Sequence, residues 1–469
     1  MSTTATQPEA HIRGPQWWLA IAPFLGMRTN PLRAMEEMHR RYGDLVSYKA
    51  AGRRIVMLFH PDMTQDMLTT RARNHEQGRV MQRSKNVLGN GLLTSEGAFH
   101  LQQRRLIHPA FHRQRVFGYG RSMVEFAERH QQTWRDGAVI DVHEEMMRLT
   151  LAIVAKTLFD TDVARDSEEI ASALNTFMHL FNFAVLPLSE YLEKLPIPPV
   201  LRMKRARKRI DRVIYRFIEE RRRTREDRGD LLSMLLAAED SEAGGARMNN
   251  DQVRDECITL ILAGHETTAN ALTWTSYLLA QNPAIAEKLR AELARVLGGR
   301  APAPEDYPNL KYAEMVFSES MRLYPPAWGI ARTVVEPYEA FGAAFPNGSI
   351  VLTSQWITHR DPRWWEDPLR FDPERWRPEA RSSRPKFSYF PFGAGPRQCI
   401  GEAFAWMEGV LLLASIAQNW QFSIVPETKV DLLPLITLRP KFGMKMRAQE
   451  VRSKNSEGRS ETAALRDYF

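Results

Sequence analysis

Between Phe390 and Gly401 the chain reads FPFGAGPRQCIG, and this short loop constrains the possible folds more than any other segment. Two glycines and a proline precede a cysteine, a glycine follows two positions later, and then comes the apolar run EAFAWMEGVLLLASIA. Such a turn delivers one thiol to the start of a helix, where backbone N–H groups and the positive helix end favour a thiolate. Gly393 and Gly395 permit backbone shapes and close approaches that a side chain would block. Arg397 is expected to add positive charge near the same point. The competing reading is a buried, inert cysteine. A zinc site would need further Cys or His ligands at close spacing, and the sequence has none there.

The rest of the chain has to build a body around this loop. Its 469 residues correspond by length to roughly three domains. Yet no repeat, low-complexity stretch or Gly/Ser-rich linker divides them. DLVSYKA and RRIVMLF flank Ala51-Gly52 and predict a β-hairpin. Strand-like pieces recur at 349–354 and around 435–446. Most of the remainder has helical periodicity, and the longest helix is expected over about 251–281, with Asn250 as N-cap and Pro283 beyond its end. The proline clusters at 196–199 and 302–308 read as loops. The expectation is a mainly α protein with small β-sheets: an N-terminal segment 1–30, one large domain over 31–448, and a polar, disordered tail over 449–469.

Cys257 and Cys399 are the only cysteines, so a disulfide framework is excluded and a reducing, cytoplasmic setting is expected. The apolar stretch from Trp17 to Gly26 is too short to span a bilayer, which takes about 20 residues. At most it gives peripheral membrane contact through Trp17 and Trp18. The net charge of +8 raises the question of a nucleic-acid partner. From Arg202 to Arg228 there are 13 basic and 5 acidic residues, a surplus as large as the whole chain's. Ile210, Val213, Ile214, Phe217 and Ile218 give that segment one apolar stripe, so the basic face reads as solvated and no nucleic acid is expected.

Within the long helix lies AGHETT, Ala263 to Thr268. Ala263 and Thr267 are four apart and share a face that Ala263 and Gly264 keep low. Thr267 is placed to return a hydroxyl hydrogen bond to the carbonyl of residue 263. Glu266 sets a carboxylate beside this opening, suited to moving protons.

The pattern F-x-x-G-x-R-x-C-x-G is filled by Phe392, Gly395, Arg397, Cys399 and Gly401, and with it the chain resembles the cytochrome P450 family over essentially its whole length. The resemblance implies that Cys399 is the axial ligand of a haem b iron, with Phe392 and Gly401 in the cofactor-binding loop. AGHETT is similar to the family's A/G-G-x-D/E-T-T motif. This implies that Ala263 and Gly264 border the cofactor, Thr267 supports oxygen activation and Glu266 aids proton delivery. Glu319 and Arg322 match the family's E-x-x-R, and Arg375 in FDPERW would complete a structural triad with them. The same spacing recurs at Glu37/Arg40, Glu287/Arg290 and Glu292/Arg295, where weak surface pairs are expected. His100 and Arg104 match the family's W/H-x-x-x-R, and Arg332 and Arg397 occupy two further positions that hold the haem propionates.

Substrate contacts are implied for the regions 80–93, 177–188, 327–330 and 435–436, which contain Phe177, Phe181, Phe183, Trp328, Leu435 and Ile436 beside Ala263. They favour a lipophilic substrate such as a fatty acid, terpenoid or carotenoid-like molecule. The expected reaction inserts one oxygen atom of O2. Since the chain ends soon after the haem core, electrons are expected from a separate ferredoxin or flavodoxin, steered to the basic segment 104–115. The alternatives are a peroxide-driven peroxygenase or an isomerase-type haem-thiolate enzyme, and more remotely a non-catalytic haem- or nucleic-acid-binding protein.

Overall fold

The computed structural model describes residues 14–15, 26–27, 29–50, 52–160, 170, 172–173, 176, 195–240 and 245–451. Its longer helices include α1 (Gly97–Ile107), α2 (Arg113–Gln131), α3 (Val142–Phe159), α4 (Pro198–Thr224), α5 (Asn250–Gln281), α6 (Lys311–Leu323) and α7 (Glu402–Asn419). The sheets are small, so the architecture is mainly α, as expected.

The predicted hairpin forms at Leu45–Ala50 and Arg53–Leu58, paired antiparallel with Leu45 opposite Leu58. Ile350–Thr353 adds to it in parallel, Ile330–Val334 pairs antiparallel with that strand, and His75–Gln77 closes a five-stranded sheet. Late in the chain the strand signal resolves into two pieces. Leu438–Pro440 makes a hairpin with Leu432–Pro434, and Lys445–Glu450 joins Trp420–Ile424 and Val139–Asp141.

Helix α5 starts one residue earlier than expected. Asn249, not Asn250, is its N-cap, because Asn249 accepts from Gln252 N while the Gln252 side chain accepts from Asn249 N. The two proline clusters are not plain loops. Pro198 and Pro199 open α4, and 304–309 forms a 3₁₀ turn. Proline fits a first helical turn because its missing N–H would have no intrahelical acceptor there. In α4 the stripe Ile210, Val213, Ile214, Phe217 and Ile218 is buried, and Arg202, Lys204, Arg205 and Lys208 are exposed.

Two apolar cores meet at α5. One gathers Trp274, Phe317, Met321 and Leu411; the other gathers Leu151, Ile258, Leu262 and Leu435. Phe392 and Phe404 pack on the first and Ile400 on the second, so the cysteine loop lies at their junction. Trp274 shows how tightly the first is built. Its ring stacks on Tyr324 at 4.4 Å and its Nε1 donates to Leu438 O at 3.0 Å. Burying such a ring contributes on the order of 3 kcal/mol. Between α6 and α7 the approach is closer still, since a Cβ on Gly409 would sit 2.2 Å from the Phe317 ring.

Candidate active site

The loop before α7 is shaped by its glycines. Gly393 and Gly395 take φ of +68° and +69°, and a Cβ on Gly395 would lie 2.0 Å from Leu68 O. Cys399 N donates to Phe392 O at 3.0 Å, folding the loop back before Gly401 caps α7. The Cys399 side chain is accessible although Phe392 and Ile400 on either side of it pack on the two cores. Burial pushes its thiol up to about 11, opposed by a Gly401 backbone bond and by the charge of Arg104. Arg397 does not supply that charge: its guanidinium turns away, to Ser95 O at 2.8 Å and to the Glu96 carboxylate. A cation bound at the sulfur would supply what Arg397 does not, since coordination deprotonates a thiol outright.

On α5, Ala263 is exposed and Gly264 and Thr267 are half-buried, while Ile261, Leu262, His265, Glu266 and Thr268 are buried. An open face in mid-helix among buried neighbours leaves a hollow against that side of α5. Thr267 Oγ1 donates to Ala263 O at 2.7 Å, as the spacing predicts. Glu266 is not free beside the opening. Its Oε1 accepts from Arg439 Nε at 2.6 Å and from Thr437 Oγ1, and Thr437 in turn accepts from Asn270 Nδ2 at 3.2 Å. His265 is buried against Ile261 O. Across the hollow's rim, Trp328 Nε1 donates to Leu435 O at 2.9 Å, bringing together two predicted substrate positions beside the half-buried Ile436. Phe177, Phe181 and Phe183 lie outside the described residues, as do Trp17 and Trp18.

Four further groups, His100, Arg104, Arg332 and Arg397, gather about the cysteine loop. His100 is buried, with Nε2 unpartnered and Nδ1 facing Ser95 Oγ at 3.3 Å and Arg397 Nη1 at 3.4 Å. Burial pushes its imidazole down to about 4, with Arg397 adding repulsion. Arg104 Nη1 donates to Gln398 O at 2.8 Å, tying α1 to the cysteine loop. Arg332 contacts Gln77 Oε1 at 2.6 Å and Ala331 O at 3.0 Å, and burial pulls it down to about 10. An orphaned imidazole nitrogen and a guanidinium paired only with neutral oxygens fit an acidic group on a flat cofactor. The residues present therefore fit haem.

Behind the loop, Glu319 and Arg322 are both fully buried and joined twice at 2.8 Å. Arg322 Nη1 also donates to His359 O at 2.8 Å and Pro368 O at 2.7 Å. Glu319 accepts from Asp372 N and Trp376 Nε1, each at 3.0 Å, and Arg375 Nε stands 3.4 Å away. The other E-x-x-R pairs divide. Glu37–Arg40 and Glu287–Arg290 are surface pairs. Glu292 is not one: it is buried and accepts from Tyr312 N at 2.7 Å and Ala313 N at 2.9 Å. The free N–H groups at the start of α6 attract that carboxylate more strongly than Arg295 does across solvent.

Sequence reasoning missed Glu96, Gln77, His359 and Arg439. It also missed Glu408, a buried carboxyl on α7 that burial pushes up to about 8. Only Glu96 carried a usable signal, as an acidic residue immediately before a helix that begins with glycine.

No helix among the described residues is long and apolar enough to cross a membrane. The family model for cytochrome P450 matches residues 12–445. The chain is 39% identical to cyclooctatin synthase of Streptomyces melanosporofaciens, covering 93% of this chain and 96% of that protein. It is 35% identical to cyclooctat-9-en-7-ol 5-monooxygenase of the same organism, over 82% and 84%. Pentalenene oxygenase of Streptomyces avermitilis is 33% identical, over 88% and 91%. Among solved structures, the cytochrome P450DA heme domain superposes with a TM-score of 0.81 at 26% identity, over 91% and 94%. The thiol loop, the open helix face and the buried lock thus sit in a chain that belongs to the cytochrome P450 family.

Proposed function

We propose that this haem-thiolate monooxygenase hydroxylates a terpenoid hydrocarbon, taking electrons from a separate ferredoxin or flavodoxin. The observation that carries the substrate class is an apolar cluster that joins Leu92, Leu262 and Leu435 with half-buried Leu93, Leu433 and Ile436. Such a surface binds by area and shape. Two relatives, named for oxygenation of cyclooctat-9-en-7-ol and of pentalenene, support the same class.

With haem b bound at Cys399, the cofactor supplies O2 binding and O–O bond cleavage. The balance is RH + O2 + 2e⁻ + 2H⁺ giving ROH and H2O. The chain's own part is to hold and to exclude. Arg104, Arg332, Arg397 and His100 hold the cofactor's carboxylates. Ala263 and Gly264 leave room over its face. The Thr267 hydroxyl offers a hydrogen bond at that opening, and Glu266 holds a carboxylate one residue away for proton supply. The exposed Arg113 and Arg115 offer a positive surface near the cysteine side, where an acidic electron donor would dock with salt-dependent rates. The reducing setting of such donors agrees with a cytoplasmic location.

The test is optical and chemical. The reduced, CO-bound protein should show the strongly red-shifted Soret band of thiolate ligation, and Cys399→His should lose it. Cyclic diterpene and sesquiterpene hydrocarbons should shift the resting spin state and give products labelled from 18O2. Spin shifts confined to fatty acids would overturn the terpenoid reading. Turnover with peroxide but none with reductase and O2 would favour the peroxygenase reading.

A further inference from the structure

Glu96 lies just ahead of α1, and three separate segments converge on it. Its Oε1 accepts from Gln77 N at 2.7 Å and Gln82 Nε2 at 2.5 Å, and its Oε2 pairs with Arg397. Gln77 then passes the connection on, since its Oε1 accepts from Arg332 at 2.6 Å and its Nε2 donates to Leu93 O at 3.1 Å. Arg397 and Arg332 are like charges, and Glu96 links them, paired directly with Arg397 and joined to Arg332 through Gln77.

Three guanidinium groups, Arg104, Arg332 and Arg397, face the region assigned to the haem carboxylates. Among the described residues the carboxylate paired directly with one of them is Glu96. Haem brings two more. Three cations against three anions make a neutral set, and in an enclosed site a surplus charge is costly. We propose that Glu96 is a third carboxylate of the haem-carboxylate site, a positioning residue that orients Arg397, braces Arg332 through Gln77, and sets the charge felt by the iron. This rests on the reading of Cys399 as the ligand of a bound haem.

A missing anion near the iron favours the reduced state, which carries one positive charge fewer, so the consequence is readable as a potential. The experiment compares the wild type with Glu96→Gln, Arg397→Gln and the double variant, each as the haem-loaded full chain at equal loading. The readouts are the ferrous–CO spectrum and the midpoint reduction potential. Glu96→Gln should move the potential positive, Arg397→Gln should move it negative, and the double variant should return close to the wild type. Glu96→Asp, which keeps the charge, should lie nearer the wild type than Glu96→Gln. If Glu96→Gln fails to fold, the double variant, which encloses no lone charge, should still lie positive of Arg397→Gln. A retained thiolate spectrum with no potential shift in Glu96→Gln overturns the Glu96 assignment alone, as does a double variant equal to Arg397→Gln. A wild type without the thiolate spectrum overturns the haem-ligand reading, and the assignment with it.

Discussion

Phe390 donates its backbone N–H to His359 Nε2 at 3.0 Å, and the carbonyl of the same His359 accepts from Arg322 at 2.8 Å. Through this one residue the cysteine loop hangs from the buried Glu319–Arg322 pair. Tyr389 adds a second tie, its hydroxyl donating to Ser318 O at 3.1 Å.

Glu319→Gln should therefore cost binding of the cofactor before it costs rate. It leaves Arg322 buried without its anion, a loss of about 3–5 kcal/mol. Denaturant unfolding and the haem-to-protein absorbance ratio measure this. A variant that loads haem normally and merely turns over slowly would contradict the structural role.

The second expectation concerns acid. Nε2 of His359 has to accept, so the ring must be neutral, and burial with Arg322 nearby holds its affinity for protons well below the ordinary value. His75 is pushed down to about 4 by burial as well. Groups that stay neutral when folded but protonate when unfolded contribute stability that is intact above about pH 6.5 and is lost as pH falls toward 4. Each costs about 1.4 kcal/mol per pH unit within that window. The melting temperature should fall steeply between pH 6.5 and 4. A flat profile there would show that these rings are not held neutral.

Two glycines should not tolerate a methyl group. Gly395→Ala adds a Cβ 2.0 Å from a backbone oxygen at a φ of +69°, and should displace the cysteine loop. Gly409→Ala forces the Phe317 ring away from α7 and should cost about 1–3 kcal/mol by overpacking. The first should lower haem loading and the second mainly the unfolding midpoint, so equilibrium unfolding beside Soret intensity separates them.

Arg439→Met should leave Glu266 as an unpaired buried carboxylate and destabilise the fold by about 3–5 kcal/mol. Adding Glu266→Gln should recover much of that loss. A double-mutant cycle reads the coupling, and additive losses would mean that the pair is energetically indifferent.

Much of the site was legible because its motifs are local. The thiol loop, AGHETT and E-x-x-R each fit within about a dozen residues, where geometry follows from spacing. What stayed hidden is joined across the chain. Glu96 and Arg397 are 301 positions apart, and Glu266 and Arg439 are 173 apart. No periodicity carries such pairings, and their residue types are those of any surface. Glu292 shows the converse: it has the right local spacing to Arg295, yet the N–H groups of a helix 20 residues on capture it. In the fold, the hairpin over 45–58 was readable from the two strand-like runs that flank Ala51-Gly52. The late strands were not, because the strand signal over 435–446 ran across the break between two separate sheets.

The bond from Thr437 to Glu266 ties the apolar rim to the acid that would feed the reaction. Leu435 and Ile436 stand directly before Thr437 on one short turn, itself pinned by Trp328. Whatever molecule presses on that turn presses on the acid's anchor too. If that turn lines the substrate and Glu266 supplies protons, as proposed, fit and proton supply are mechanically one variable, and substitutions that broaden what the enzyme accepts should also change how much of its reducing power ends as product rather than waste.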